Sequence, residues 1–204
     1  MSQGILFNNT LIKVLSLSAL LALSACNSEK GKEHVGQWSL DAKQSELHFS
    51  STKNGDITEK HQFRNFDAAV GAEGNFSLSI DLTSVDTGIE IRDERMQKHL
   101  FMTDKTPKAT ITGKITSKDL PAKSKTKTMN AELDLAGNTT AIEAEVTLTR
   151  INAETIKVET AKPIVLSAEN LGLKAGVDKL QDIAGLNSIS DEVPVTFSFT
   201  MKKQ

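Results

Sequence analysis

Tyrosine is missing from this chain of 204 residues, cysteine and tryptophan occur once each, and the other aromatics are eight Phe. A single Cys excludes an internal disulfide and any multi-cysteine zinc site. Charge of one sign is lacking as well. Lys and Arg number 24 against 26 Asp and Glu, a net of −2, so the basic surplus that marks a nucleic-acid binder is absent. The main apolar run, residues 14–23, is about half the ~20 residues that a membrane-spanning helix requires. Gly-x-Ser-x-Gly, His-Glu-x-x-His, Cys-x-x-Cys and the phosphate-binding loop are all absent, which leaves no catalytic motif, no metal motif and no cofactor to expect. The remainder, 38% hydrophobic and 25% charged, has the composition of a folded globular protein of one or at most two domains.

Residues 1–25 carry one charged side chain, Lys13, followed directly by the apolar run. That is the layout of a secretory signal peptide. Leu23-Ser24-Ala25-Cys26 resembles a bacterial lipobox. The resemblance implies cleavage before Cys26, diacylglycerol on its sulfur and an acyl group on the new amino terminus. The alternative is an ordinary signal peptide with an incidental cysteine, but the only Cys stands where a lipobox needs it. Two or three acyl chains, at about 0.8 kcal/mol per buried methylene, give stable anchoring. Asn27 rather than Asp after the cysteine implies the bacterial outer membrane, facing the periplasm. Residues 27–36 are polar and read as a tether. The expected organisation is therefore a signal peptide over 1–25, the acylated Cys26 and its tether to 37, and one domain over 38–204.

From Trp38 onward the dominant period is two, the mark of half-buried strands. Leu47 and Phe49 alternate with Glu46, His48 and Ser50; Phe76, Leu78, Ile80 and Leu82 with Ser77, Ser79, Asp81 and Thr83. Met129, Ala131, Leu133 and Leu135, then Ile142, Ala144, Val146 and Leu148, then Val193, Val195, Phe197, Phe199 and Met201 repeat the pattern. Weaker cases at 57–63, 109–115, 156–158 and 164–166 bring the candidates to roughly nine strands, enough to close a barrel. The alternate faces are Ser, Thr, Glu and Asp, and the aromatic girdles of a transmembrane barrel are missing, so the apolar face points inward and the outer face meets water. Asn54-Gly55, Gly71 to Gly74, Gly137-Asn138 and residues 151–154 supply turns. The Lys-rich stretch 118–127 reads as a solvated loop. Two segments leave period two. Thr87-Gly88-Ile89-Glu90 suits a capping box opening a helix to about Met102, and Val177, Leu180, Ile183 and Ala184 form a short amphipathic helix stopped by Gly185. Both plug or flank the barrel.

His61 and Glu59 are the polar residues that interest us, because they share the inward parity of their strand with Ile57 and Phe63. They either form a hydrogen-bonding contact for a ligand or a metal pair, or the strand twists outward and leaves both solvated. His48 falls on the outward parity, His34 in the tether, and His99 beside Arg95. Arg92, Asp93, Glu94 and Arg95 suit either acid–base work or a charged helix face bracing the barrel rim.

Several stretches together resemble the YceI-like family of lipocalin-like periplasmic proteins. They are Trp38-Ser39-Leu40-Asp41 with Ser45-x-Leu47-x-Phe49; His61-x-Phe63-x-x-Phe66; residues 84–96 followed by Leu100-Phe101; Pro107-Lys108-Ala109-Thr110-Ile111; residues 133–139; and Val193-Pro194-Val195-Thr196-Phe197. Ala136, where a polar residue is common before the glycine, and the Lys-rich 118–127 stretch depart from the pattern. The resemblance implies an all-β fold: an eight-stranded antiparallel barrel with one or two short helices and an elongated apolar lumen. It implies a hydrophobic ligand, an isoprenoid quinone or a polyprenyl lipid, no catalytic residues, and a looser link to stress responses.

Lumen contacts are then expected from Leu47, Phe49, Phe63, Phe76, Leu78, Ile80, Ile111, Leu133, Leu135, Val146, Leu148, Val195, Phe197 and Phe199, with His61 or Glu59 near a head group. A second reading is a packed, non-enzymatic structural or interaction lipoprotein whose helices and Lys123, Lys125 and Lys127 touch a protein partner. A third, an enzyme acting on a lipid, has only His61 and Glu59 to draw on.

Overall fold

The computed structural model describes residues 34–204. The expected signal peptide and Cys26 lie outside the described residues, as does most of the expected tether. Its last part is not a free tether: Val35 is buried, and its N–H donates to the Ala72 carbonyl at 2.9 Å.

Twelve strand segments follow in order: β1 (Trp38–Leu40), β2 (Glu46–Lys53), β3 (Ile57–Phe63), β4 (Phe66–Val70), β5 (Asn75–Asp81), β6 (Val85–Asp86), β7 (Lys108–Lys114), β8 (Ser124–Leu135), β9 (Asn138–Asn152), β10 (Thr155–Thr160), β11 (Ile164–Ser167) and β12 (Glu192–Lys203). Their pairings are antiparallel, and short breaks join them into eight barrel strands: β1 with β2, β3 with β4, β5 with β6, then β7, β8 and β9 singly, β10 with β11, and β12. The last strand seals the first, with Trp38 opposite Lys203 and Phe49 opposite Val195. Closure removes the free edges that an open sheet would expose. The eight-stranded expectation holds, and the roughly nine candidates of the pattern are the same strands divided at their breaks.

Because successive strands run up and down, the connections collect at two ends. One end gathers the β2–β3 hairpin, the β8–β9 hairpin and both helices. The opposite end holds the β4–β5 turn, the β9–β10 turn, and Val35 and Trp38, both buried.

Helix α1 (Glu90–Arg95) continues as a π-helical turn over Met96–Phe101, and α2 (Lys174–Ala184) ends at Gly185 with φ 62. The capping box does not form as the sequence suggests. Ile89 is the N-cap and makes no side-chain cap bond; the Thr87 amide and hydroxyl instead donate to Asp93 Oδ1 at 2.8 and 2.6 Å. Asp93 therefore does the work expected of Glu90, one helical turn later. The π-helical turn lies against α2 at Gly176, where a Cβ would come within 2.7 Å of the His99 carbonyl oxygen.

The stretch 118–127 is also more ordered than a solvated loop. Strand β8 already begins at Ser124, Lys127 pairs with Asp119 at 2.6 Å, and Lys125 donates to the Lys118 carbonyl at 3.0 Å.

Leu135 faces Asn138 across a two-residue hairpin in which Ala136 (φ 53) and Gly137 (φ 82) are both left-handed. Alanine is poorly suited to that conformation, whereas asparagine tolerates it. Ala136→Asn is expected to raise the unfolding free energy by about 0.5–1 kcal/mol, read from denaturant midpoints at unchanged slope. A lowered midpoint would contradict the hairpin geometry.

Candidate functional site

Strand alternation turns one face of every strand into the barrel interior, and the interior is hollow. A cavity of about 540 Å3 runs through it, within the usual range of small-molecule sites. All fourteen residues expected at the lumen line this one cavity: Leu47 and Phe49 on β2, Phe63 on β3, Phe76, Leu78 and Ile80 on β5, Ile111 on β7, Leu133 and Leu135 on β8, Val146 and Leu148 on β9, and Val195, Phe197 and Phe199 on β12. Most of the rings that line it gather in two groups, with Phe76 in neither. Phe49, Phe63 and Phe101 form a chain with centroids 5.3 and 5.9 Å apart, and Phe197 stacks on Phe199 at 4.5 Å.

Other lining residues escaped the strand pattern because they come from the helices and the segment after α2. Met96, Leu100, Phe101, Val177, Leu180, Leu186 and Ile189 close the helical end of the cavity. The three- and four-residue apolar spacing of the helices was visible in the sequence, but not the fact that it faces a lumen.

Polar groups enter the cavity wall at this same end. Lys53, Ser51, Glu59, His61, Arg92 and Arg95 all line it, beside Ile89 and Ile91, which are about half exposed. The cavity therefore reaches solvent between the start of α1, the β2–β3 hairpin and the segment after α2. His61 is 4% exposed, so the outward-twisting alternative for its strand is corrected. The register explains it: His61 faces Phe49 across the β2–β3 pair, and their rings are 5.2 Å apart. Its Nε2 lies 3.1 Å from the Ser51 hydroxyl. One step nearer the opening, Glu59 accepts from Lys53 at 2.8 Å and from Arg92 Nη1 at 2.9 Å, while Arg92 Nη2 donates to the Thr87 carbonyl at 2.8 Å. Glu59 thus holds α1 across the barrel rim, the bracing role that the charged helix face suggested for its arginines. Among the described residues no group of three or more His, Cys, Asp or Glu could hold a metal ion. His48 sits on the outer face, 3.1 Å from Glu46.

The hydrogen bond from Lys53, ahead of the nearby Arg92 charge, holds the Glu59 carboxyl below its ordinary value. Burial, reinforced by Arg92, pushes the His61 imidazole below its ordinary 6.5. An unfolded chain protonates His61 near 6.5 while the folded one resists, so below that value the unfolded state binds more protons and stability falls as pH is lowered. The carboxylates held low, Glu59, Asp86 and Asp119, lose their contribution only at more acidic pH. Melting temperature is therefore expected to fall between about pH 6.5 and pH 5.5, and His61→Phe should flatten that slope. Identical slopes in the two proteins would remove His61 as its source.

A closed up-and-down barrel around an apolar lumen defines a class of small binding domains. The chain belongs to the YceI-like domain family, whose pattern matches residues 38–201. No curated protein matches it. Among solved structures it is similar to a polyisoprenoid binding domain from Saccharophagus degradans implicated in plant cell wall breakdown, with 33% identity and a TM-score of 0.79 over 82% of this chain and 98% of that one. BcnA of Burkholderia cenocepacia shares the fold at 21% identity and a TM-score of 0.64, over 79% and 98% of the two chains. The Campylobacter jejuni YceI protein shares it at 16% identity and a TM-score of 0.53, over 71% and 84%.

Proposed function

We propose that this chain is a lipid-anchored carrier or binding protein that holds a long apolar molecule of isoprenoid type, an isoprenoid quinone or a polyprenyl lipid, in its barrel lumen. The carrying observation is the continuous hollow interior of about 540 Å3, walled almost wholly by aliphatic and aromatic side chains. A polyprenyl tail is thin and apolar, and its burial gains about 25 cal/mol per Å2 removed from water. The Saccharophagus degradans relative is described as a polyisoprenoid binding domain, which supports the same class of ligand here. The fourteen lumen residues would act by shape and burial, with binding rather than catalysis as the outcome. Acylation at Cys26 and an outer-membrane position facing the periplasm complete the reading, on the strength of the lipobox and of Asn27.

Native mass spectrometry of the full chain purified from a bacterial envelope tests it. The expected result is a stoichiometric extra mass, released by organic solvent and matching a prenyl compound, together with a diacylglycerol mass on the Cys26 peptide. A bare barrel after gentle handling and lipid add-back would favour the interaction lipoprotein, and charge reversal at Lys123, Lys125 and Lys127 would then be the next variant. An unmodified Cys26 would remove the anchor while leaving the lumen reading in place.

A further inference from the structure

Two nitrogen atoms in the cavity wall are shielded from solvent and have no hydrogen-bond partner: His61 Nδ1 and Arg92 Nε. A buried polar group left unpaired costs about 1–3 kcal/mol, and folded proteins seldom leave one so unless something else completes it. Both atoms belong to residues at the open end of the lumen, and His61 is 96% buried on a face otherwise lined by Phe49 and Phe63. Apart from His48 and Ser77, which fall on the outward parity of their strands, the lumen residues deeper in the barrel are apolar, so an amphiphile entering tail first would stop with its head at this level.

We propose that His61 and Arg92 form the seat of an uncharged, oxygen-accepting head group, a carbonyl oxygen that takes one hydrogen bond from His61 Nδ1–H and one from Arg92 Nε–H. This rests on the carrier reading above and narrows its ligand.

Three features set the chemistry. Arg92 Nε is a donor only. We take the Ser51 hydroxyl, 3.1 Å from His61 Nε2, as the donor of that pair, which puts the proton of the neutral imidazole on Nδ1 and makes it a second donor. The Glu59 carboxylate stands directly against Arg92, 2.9 Å from its Nη1, and is shared with Lys53. A phosphate head would have to displace or lie against that carboxylate. A neutral oxygen meets two donors and no such repulsion. Glu59, one of the two polar contacts considered from the sequence, is thereby a positioning residue, and Arg92 from α1 takes its place beside His61.

The test uses the full chain, cleared of co-purifying lipid and titrated calorimetrically in a fixed neutral detergent. The probes share one four-unit prenyl tail and differ in the head: a naphthoquinone, an acetate ester, a diphosphate or none. The quinone, the ester or both should bind about tenfold more tightly than the bare hydrocarbon, as expected for paired donors that are otherwise buried alone. Which of the two does so separates a ring carbonyl from an ester carbonyl. The diphosphate should gain nothing over the hydrocarbon. His61→Phe and Arg92→Lys, the latter keeping a cation opposite Glu59, should each reduce the carbonyl-to-hydrocarbon ratio several-fold, and His61→Gln should restore part of it. The proposal is overturned by a ratio near one in the native chain, by preference for the diphosphate, or by a ratio that neither substitution moves. If no probe binds, the carrier reading itself fails. Thermal melts of each variant separate lost head recognition from lost folding.

Discussion

An Ala144→Phe variant is expected to bind an apolar ligand at least about tenfold more weakly while still unfolding as one cooperative barrel. Ala144 lies opposite Met129 on the β8–β9 pair and lines the cavity. A phenyl ring projecting there covers wall that a ligand would otherwise bury. Loss of only about 60 Å2 of ligand contact, at ~25 cal/mol per Å2, is ~1.5 kcal/mol, slightly more than a factor of ten. The stability readout is as informative as the binding one. Overpacking a filled core costs about 1–3 kcal/mol, whereas an open lumen accepts the ring without displacing its neighbours. Native mass spectrometry gives the occupancy and a thermal melt gives the stability. A folded variant with undiminished occupancy would move the ligand out of the lumen, and a strongly destabilised one would indicate a packed interior.

Gly74→Ala is expected to be the most damaging small substitution, costing about 3–4 kcal/mol. Gly74 closes the β4–β5 turn at φ 84, and a Cβ built there would lie 2.0 Å from the Ile115 carbonyl oxygen and 2.9 Å from the Val35 side chain. The first obstacle is backbone, so no rotamer change relieves it. Moving Ile115 away breaks the 2.8 Å bond from its N–H to the Gly74 carbonyl. The left-handed conformation alone costs alanine about 1–2 kcal/mol, and the broken bond and displaced strand account for the rest. For a domain of this size each kcal/mol shifts Tm by about 2–4 °C, so a drop of roughly 10 °C is expected. Gly88→Ala separates the contributions. It has φ 75 with nothing within 4 Å of the added carbon, so only the backbone cost applies. Equal losses in the two variants would mean that the Ile115 contact does not matter.

The lumen was legible in the sequence where the pleat speaks for itself. Leu133 and Leu135, or Val146 and Leu148, must share a face because successive side chains in a strand point to opposite sides. Left-handed turn positions were legible too, at Asn54-Gly55 and at Gly185, because few residues accept that backbone. Thr87 was misread because a capping box is a local pattern. Glu90 occupies the right spacing, yet Asp93 is the carboxylate that the folded turn brings within reach. His61 was left undecided by the pattern for a different reason. Parity alone placed it inward, and whether its strand stayed in the barrel depended on pairing with Phe49 and on Arg92 arriving from a helix more than thirty residues away.

By itself the sequence determined which residues could face one another across a strand, where the chain turns, and that the inside would be aliphatic. Those properties follow from backbone geometry and side-chain hydration over a few residues. Only the tertiary structure decided that the last strand seals the first, that the helices close one end, and that the interior stays hollow. Strand number and stagger set a barrel's diameter, and a lumen remains where the inward side chains are too small or too bunched to fill it. That balance is struck among residues far apart in the chain, from Leu47 to Phe199, and no local pattern contains it.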